Sequence, residues 1–265
     1  MVKTISSLQN PFIKQLIQLK EKSKLRKQTG LFIIEGKREL SLAIKGNYTI
    51  ETLYYYADLF SASEAASLEI YGIDIIEITK TVYEKVAHRG TTEGIVAVAK
   101  AKNFDLNNLK FKSETPLILV AEAPEKPGNI GALLRTADAA NVDAIIISNP
   151  LTDLYNPNII RSSVGGIFTV PIATGSSEDI IAYLKKQKIF IYAATLQDSV
   201  EYDSVNYKKA TALIVGAESV GLSSIWREVA TAKIRIPMQG KIDSMNVSVA
   251  AGILVFEAKR QRKLS

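Results

Sequence analysis

A cluster of polar residues that leads directly into a long apolar helix constrains the fold of this chain more than any other feature. A short strand is predicted at residues 234–236, and Pro237 ends it because proline has no N–H to donate to a sheet. From Val247 onward, apolar side chains recur at helical spacing on nearly all sides, which predicts a buried helix. The polar residues before and at its start are Asp243, Ser244, Asn246 and Ser248.

Two interpretations of this polar cluster follow from the residues alone. Asn246 or Ser244 can cap the helix by accepting a hydrogen bond from one of the unpaired N–H groups of its first turn. A cap requires only one such residue, and here there are several. The cluster therefore also indicates a functional site at the helix N-terminus.

The scarcity of cysteine and histidine excludes several classes of catalytic site. The chain of 265 residues has no cysteine and a single histidine, His88. A disulfide framework, a thiolate nucleophile and a cysteine-based metal site are excluded, and a zinc site or a Ser-His-Asp triad is not expected. No apolar run approaches the roughly 20 residues of a membrane span, and the N-terminus lacks the apolar core of a signal peptide. A cytoplasmic protein is therefore expected.

Positive charge is concentrated in the N-terminal part of the chain. Residues 1–46 contain ten Lys or Arg and three Glu, a net charge of +7, whereas the whole chain carries +6. A basic block of this kind is typical of proteins that bind nucleic acid. Taken alone, a solvated helix face is the simpler explanation.

The order of the predicted elements indicates two α/β domains. Asn10 followed by Pro11 predicts the start of a helix, with a cap and then proline at the first helical position. Helical segments then alternate with predicted strands, as in a layered α/β domain. These strands are at residues 31–34, 52–56, 74–78 and 94–99. Residues 101–115 are polar and lack strong periodicity, so we expect a first domain at 1–100, a linker at 101–115 and a second domain at 116–265.

Two further polar segments follow predicted strands of the second domain. After the strand at residues 117–121, Asn129 is predicted to cap a helix that carries Arg135 off its apolar stripe. Arg135 is either an exposed helix charge or a functional residue. After the strand at residues 212–215, Gly216 and Glu218 occupy a loop where ligands bind in open α/β sheets. Glycine there would let a ligand approach the backbone closely.

Three of these segments resemble the motifs of the SpoU family of RNA ribose 2′-O-methyltransferases, also called the TrmH family. They are Asn-Ile-Gly-x-x-x-Arg-Thr-Ala from Asn129, Gly-x-Glu-x-x-Gly-Leu from Gly216, and Ile-Pro-Met-x-Gly-x-x-x-Ser-Met-Asn-Val-Ser-Val-Ala from Ile236. The block Phe-Ile-Ile-Glu-Gly-Lys-Arg-Glu from Phe32 resembles the substrate-binding domain that precedes many of these methyltransferase domains. The resemblance implies an α/β fold class: a C-terminal SPOUT-type domain with a deep trefoil knot, preceded by a small α/β/α RNA-binding domain.

The resemblance also implies roles for individual residues. In the family the knot binds S-adenosylmethionine, and the catalytic site lies at a homodimer interface. The implied cofactor-binding residues are Thr195, Leu196, Gly216, Ile236, Met238 and Met245. The residues implied to line the reacting site are Asn129, Arg135, Glu218, Ser244 and Asn246. Arg161, in a block that resembles the Arg-x-Ser-x-Gly-x-x-Phe segment of the family, would contact an RNA phosphate or serve a structural role.

The implied reaction is methyl transfer from S-adenosylmethionine to a ribose 2′-OH of RNA. The favoured substrate is 23S ribosomal RNA, because the N-terminal domain resembles a ribosomal RNA binder, and transfer RNA is the alternative. A non-catalytic rRNA-binding protein or ribosome assembly factor with the same fold is a further alternative. The expected partners are RNA and a second copy of the chain, with no membrane and no metal.

Overall fold

The structure, a computed structural model, describes residues 3–88, 93–111, 113–217, 220–242 and 244–263. Contacts between residues divide the chain into two units. Unit 1 contains the residues up to Asn103 together with Asp153–Thr169, and unit 2 contains Phe104–Thr152 and the residues from Val170 onward. The sequence predicted a single boundary at residues 101–115. It did not predict that Asp153–Thr169 belongs to unit 1.

A mixed five-stranded sheet, counted over the described residues, is the centre of unit 1. Its strands are β1 (Lys3–Ile5), β2 (Leu31–Glu35), β3 (Ile50–Tyr55), β4 (Asp74–Ile78) and β5 (Ile95–Lys100), in the order β1-β4-β3-β5-β2. Its helices are α1 (Pro11–Glu21), α2 (Ser23–Thr29), α3 (Lys37–Lys45), α4 (Ala62–Ala66), α5 (Lys80–Val86) and, from the later segment, α7 (Pro157–Ser162). β3 pairs parallel with β4 and antiparallel with β5. The four predicted strands are confirmed, and β1 was not predicted.

The start of α1 follows from its sequence. The Asn10 side chain accepts a hydrogen bond from the Phe12 N–H at 2.9 Å, and Pro11 is the first helical residue, so the predicted cap is confirmed. Ile13, Leu16 and Leu19 recur at helical spacing and are buried in the core of unit 1. The exposed positions between them carry the polar and basic residues of this segment.

Buried polar and aromatic contacts join the segment Asp153–Thr169 to the rest of unit 1. Arg26, 5% exposed, donates to the Asp153 carboxylate at 2.5 Å and to a backbone carbonyl of α1 at 2.6 Å. The Phe32 ring stacks on Tyr155 with the ring centroids 4.2 Å apart. Removal of one partner from a buried ion pair costs about 3–5 kcal/mol, so this contact holds the segment firmly. The pair joins positions 127 residues apart, which local sequence patterns do not reveal.

In unit 2, the described residues form a seven-stranded parallel sheet. The strands are β6 (Leu117–Glu122), β7 (Ala144–Ser148), β8 (Ile172–Gly175), β9 (Phe190–Ala194), β10 (Val200–Glu201), β11 (Thr211–Val215) and β12 (Ala232–Arg235), in the order β10-β12-β9-β11-β6-β7-β8. The helices are α6 (Pro127–Ala139), α8 (Ser177–Lys186), α9 (Ser224–Val229) and α10 (Val247–Lys263). Every residue of β6, β7 and β11 is buried, as expected for parallel strands covered on both faces. The carboxyl ends of the strands share one edge of the sheet, where ligands bind in folds of this kind.

The helix of the first motif begins three residues earlier than predicted. α6 starts at Pro127, with Lys126 as its cap residue, so the prediction that Asn129 caps this helix is wrong. Proline is favoured at the first helical position because the N–H that it lacks would be unpaired there. Asn129 therefore lies in the first turn of α6. At the other end, Asn141 adopts the left-handed conformation, with a φ of 48°, and the helix stops.

One face of α10 is buried and the other is exposed. Val249 and Phe256 are 53% and 52% exposed, so the expectation of a helix buried nearly all round is wrong for the single chain. The reason is that α10 packs on α6 and β11, which cover only one of its sides. The buried residues are Val247, Ala251, Leu254, Val255 and Ala258.

Candidate functional site

The carboxyl ends of β9, β11 and β12 surround a cavity of about 510 Å³. Its walls come from the loops that follow these strands and from the first two turns of α10. All the residues that the family resemblance assigned to the cofactor line this cavity: Thr195, Leu196, Gly216, Ile236, Met238 and Met245. Three segments that are distant in the sequence therefore meet at the edge of the sheet where open α/β folds bind ligands.

Position 216 accommodates only glycine. A Cβ atom there would lie 2.3 Å from the carbonyl carbon of Gly221 and 2.4 Å from the backbone nitrogen of Leu222. The loop closes on itself, because the Gly221 N–H donates to the Ala217 carbonyl at 2.9 Å. Glycine at position 216 therefore lets the backbone of Gly221 and Leu222 pack directly against it, and all three residues form part of the cavity wall.

The cavity also contains polar side chains that the sequence did not predict. Arg227 Nη1 donates to Gln197 Oε1 at 3.0 Å, and both residues line the wall together with Arg235. Gln197 and Arg227 lie outside the three motifs, so no pattern marked them. The apolar part of the wall includes Leu196, Val220, Ile236 and Leu254. The wall thus combines apolar surface with polar side chains in nearly equal measure, and both kinds of contact are used by small-molecule sites.

Asparagines from the first and third motifs meet next to the cavity lining. Asn246 Nδ2 donates to Asn129 Oδ1 at 3.1 Å, although 117 positions separate them. Asn246 Oδ1 accepts from the Ser248 N–H at 3.0 Å and from the Ser248 hydroxyl at 2.6 Å, so capping of α10 by Asn246 is confirmed. The same side chain therefore caps α10 and joins it to α6.

Arg135 and Ser244, also expected at the reacting site, form no hydrogen bond with this pair in the described part of the chain. Arg135 is exposed on α6 and, within the described part of the chain, forms no hydrogen bond or ion pair. Six positions separate it from Asn129, which places the two side chains about 120° apart around the helix axis. Ser244 lines the cavity, and Glu218 lies outside the described residues. Within one chain, Arg135 thus faces solvent rather than the asparagine pair.

A buried carboxylate anchors the loop that closes the cavity. Glu122, 7% exposed at the end of β6, accepts from the Ser223 N–H at 2.8 Å and from the Ser223 hydroxyl at 2.6 Å. It also accepts from the Ser177 hydroxyl at 3.1 Å, and Trp226 Nε1 donates to Ser177 Oγ at 3.0 Å. Ser223 directly follows Leu222, which lines the cavity. These bonds tie β6, α8 and α9 together at the carboxyl edge of the sheet.

The described residues contain no group of three or more His, Asp or Glu side chains placed to hold a metal ion. None of the helices that they form is both long and apolar enough to cross a membrane.

Comparison with known families identifies the fold. Residues 116–256 match the model of the SpoU rRNA Methylase family. The chain belongs to this family. Residues 10–97 match a second model, the MRM3-like substrate binding domain. The family predicted from the three motifs is confirmed, and so is a mixed α/β fold with a parallel sheet and an N-terminal substrate-binding domain. The trefoil knot stays a prediction.

Similarity to individual members of the family extends over both units. A Bacillus subtilis protein named 23S rRNA (guanosine(2553)-2'-O)-methyltransferase RlmP is 28% identical over 258 residues, which cover 97% of this chain and 100% of the relative. The Vibrio parahaemolyticus protein 23S rRNA (guanosine-2'-O-)-methyltransferase RlmB is 34% identical over 200 residues, 74% of this chain and 81% of the relative. The crystal structure of an AdoMet-bound rRNA methyltransferase from Sinorhizobium meliloti is 31% identical, covers 98% of each chain and has a TM-score of 0.89.

Proposed function

We propose that this protein transfers a methyl group from S-adenosylmethionine to a ribose 2′-OH of 23S ribosomal RNA. The observation that supports the proposal is the cavity of unit 2, where all six residues assigned to the cofactor from the sequence lie together. The two relatives described above, both named 23S rRNA 2′-O-methyltransferases, add the reaction and the class of RNA.

The lining of this cavity fits S-adenosylmethionine. Its volume of about 510 Å³ lies within the range of roughly 300–1,000 Å³ that is usual for small-molecule sites. Leu196 and Ile236 offer apolar surface for the adenine ring, and the backbone at Gly216 offers hydrogen bonds for polar edges. When bound, the cofactor supplies an electrophilic methyl group on a positively charged sulfur. The residues of the chain hold that group in place.

Activation of the ribose hydroxyl is assigned to Arg135. A neutral hydroxyl is a poor nucleophile, so the 2′-OH must lose its proton as the methyl group is transferred. Arginine is an awkward base because its guanidinium stays protonated in proteins. We therefore assign Arg135 to the phosphate beside the target ribose, where its charge also stabilises the developing 2′-oxyanion. The 2′-oxygen bonds to the methyl carbon as the bond from carbon to sulfur breaks, and the hydroxyl proton passes to that phosphate or to a water molecule beside it. Its exposed position, with no partner among the described residues, leaves the guanidinium available for RNA.

Asn129, Asn246, Ser244 and Glu218 complete the proposed reacting site. The hydrogen bonds from Asn246 to Asn129 and from Ser248 to Asn246 fix the orientation of the Asn246 amide. A polar group that is already ordered can position a ribose without reorganisation during the reaction. Ser244, in the wall of the cavity, places a hydroxyl on the same loop.

We also propose that the protein acts as a homodimer in the cytoplasm. The exposed side of α10 carries Val249 and Phe256, which a second copy of the chain would cover. The cytoplasmic location is proposed because the favoured substrate, ribosomal RNA, is found there.

Methyl transfer from labelled S-adenosylmethionine to separated rRNA and tRNA tests the proposed function. We expect the label in 23S rRNA, at a ribose 2′-oxygen that makes the neighbouring phosphodiester resistant to alkali. Label in tRNA alone would replace ribosomal RNA by the alternative substrate. Binding of RNA without any transfer would instead support a non-catalytic RNA-binding or ribosome assembly role.

A further inference from the structure

A second cavity, in unit 1, has no role in the chemistry proposed above. Its volume is about 290 Å³, and its walls come from β2, from the start of α3, from His88 and Glu93 between α5 and β5, and from α7. Ile33 and Ile160 contribute apolar surface and are 2% and 3% exposed. The charged residues around it include Glu35, Arg38, Glu39, Glu93 and Arg161. A small cavity with apolar surface and charged groups of both signs suits a single flat, polar ligand group.

The carboxylates of this cavity are ordered by the backbone. Glu35 accepts from the His88 N–H at 2.9 Å, and Glu93 accepts from the Lys37 N–H at 2.8 Å. Glu39 lies half-buried in the first turn of α3, and its burial raises the pKa of its carboxyl group. A carboxylate has lone pairs for several hydrogen bonds and no N–H or O–H to donate. The cavity therefore presents fixed acceptors to whatever it binds.

Two residues that line the same cavity, Glu93 and Val164, carry a Cβ atom at positive φ, with values of 53° and 54°. Gly36, which also lines it, has a φ of 100° that glycine adopts readily. Positive φ is unfavourable for a residue with a Cβ atom, and most of all for a β-branched residue such as Val164. A Cβ atom on Gly36 would lie 2.7 Å from Glu39 Oε2, so glycine is needed for this carboxylate to fold over the backbone. Strained residues are retained mainly where they shape a functional site.

We propose that this cavity binds an unpaired guanine of the RNA substrate, an inference that rests on the proposed function. Unpaired bases are recognised in proteins through the hydrogen bonds of their Watson–Crick and Hoogsteen edges. Guanine has two neighbouring donors on its Watson–Crick edge, N1–H and the N2 amino group, and they match the two oxygens of one carboxylate. Adenine and cytosine place an acceptor beside their donor, and uracil has a single donor between two acceptors. We assign this contact to Glu39.

Two arginines complement the rest of a guanine base. Arg161 Nη2 donates to Asn158 Oδ1 at 2.5 Å, which holds its guanidinium at the cavity. Arg38 is exposed at the start of α3. Guanidinium groups stack on the faces of bases and donate in pairs to O6 and N7 of guanine. A carboxylate therefore matches the donors of the Watson–Crick edge of guanine, and a guanidinium group matches its acceptors O6 and N7. Any other base would place a hydrogen-bond acceptor opposite one oxygen of the carboxylate, which is unfavourable.

Binding of seven-nucleotide RNAs to the full chain tests this inference. Fluorescence anisotropy compares 5′-UUUGUUU-3′ with the same RNA carrying adenine or inosine at the central position. We expect the guanine RNA to bind about tenfold more tightly than the adenine RNA, as a bidentate base contact provides. Inosine lacks the N2 amino group and is expected to be intermediate. Equal affinity of the wild-type protein for the three RNAs would overturn the inference before any variant is made.

Glu39→Gln is the matching variant. Glutamine keeps the size of the side chain and remains suitable for the first turn of a helix, but it offers one acceptor oxygen instead of two. The preference for guanine over inosine should disappear in Glu39→Gln and persist in Glu84→Gln, an exposed carboxylate of α5 that faces Lys80 at 3.9 Å. A preference that survives in Glu39→Gln would reject the assignment.

Calorimetric titration with S-adenosylmethionine separates this inference from the proposed function. Cofactor binding without any guanine preference would reject the unit 1 cavity as a base site and leave methyl transfer intact. Guanine preference without cofactor binding would reject methyl transfer and leave the base site intact.

Discussion

Arg135 contributes little to the stability of the fold, since it is exposed and has no partner in the described chain. We predict that Arg135→Lys is nearly as damaging to methyl transfer as Arg135→Ala. Lysine keeps the charge but loses the planar fork that holds a phosphate with two parallel hydrogen bonds. Single-turnover methyl transfer should fall by about a hundredfold or more, as for the loss of one preorganised donor. Calorimetric cofactor affinity should hardly change, because Arg135 does not line the cofactor cavity.

Lys185→Ala is the matched control for Arg135. Lys185 is also an exposed cation on a helix of unit 2, and all three substitutions should cost less than about 0.5 kcal/mol of stability. Normal turnover in Arg135→Lys would exclude bidentate recognition of a phosphate. Normal turnover in Arg135→Ala would remove Arg135 from the site altogether.

At the scale of the elements, Glu122 joins the end of β6 to the starts of α8 and α9. We predict that Glu122→Ala destabilises the protein by at least about 2 kcal/mol, because it leaves the Ser223 N–H and neighbouring hydroxyl groups without their acceptor. Cofactor affinity should fall as well, since Ser223 follows a residue of the cavity wall. Urea unfolding can be followed by the fluorescence of Trp226, the single tryptophan, which donates to the same network.

Glu228→Ala is the control for this network. Glu228 is an exposed carboxylate of α9, and its removal should change stability by less than about 0.5 kcal/mol. Equal urea midpoints for Glu122→Ala and Glu228→Ala would show that the Glu122 carboxylate does not stabilise the contact between β6, α8 and α9.

Elements with a long, regular pattern were predicted from the sequence, and those that depend on their neighbours were not. β6 and β11 are continuous apolar runs, so both were found. β1 has three residues and is specified by its pairing with β4, Lys3 opposite Ile76. The site followed the same rule. Its motif residues were found, whereas Glu122 became visible only through its contacts with Ser177 and Ser223, 55 and 101 positions away.

At the scale of the whole molecule, part of the N-terminal basic block serves structure. Lys20 Nζ donates to the carbonyls of Val86 and Ala87 at 2.8 and 3.0 Å, and Arg26 is buried against Asp153. The net charge of the block therefore overstates the charge available for RNA. Six lysines of the block are exposed, and four of them lie in or between α1 and α2: Lys14, Lys22, Lys24 and Lys27.

We predict that changing these four lysines to glutamine makes the log–log salt dependence of RNA affinity shallower. Each lost phosphate contact should reduce the slope by about 0.7 for a single-stranded RNA. The affinity is measured between about 50 and 200 mM salt, where the dependence is steep. The control removes the same charge from unit 2 by changing Lys185, Lys186, Lys188 and Lys208 to glutamine. An equal reduction of slope in both proteins would mean that net charge, and not the exposed block, governs binding.

The two sides of α10 have different surroundings. Ala250 and Leu254 line the cofactor cavity, whereas Val249 and Phe256 are exposed on the other side. Large apolar residues that share an exposed helix face are typical of an interaction surface. A charge on that face would oppose burial against a second copy and leave the cavity side unchanged.

We therefore predict that the protein is a homodimer and that Phe256→Glu makes it a monomer at micromolar concentration in sedimentation. The variant should still bind S-adenosylmethionine in calorimetry but lose methyl transfer to RNA, because the family resemblance implies a catalytic site at the homodimer interface. Ile70→Glu is the control, since Ile70 is an apolar residue of unit 1 that is 80% exposed, and this variant should stay dimeric and active. A wild-type monomer with full activity would exclude the dimer as the working form. A Phe256→Glu dimer would place the interface on another surface, while a fully active Phe256→Glu monomer would show that one chain carries the whole site.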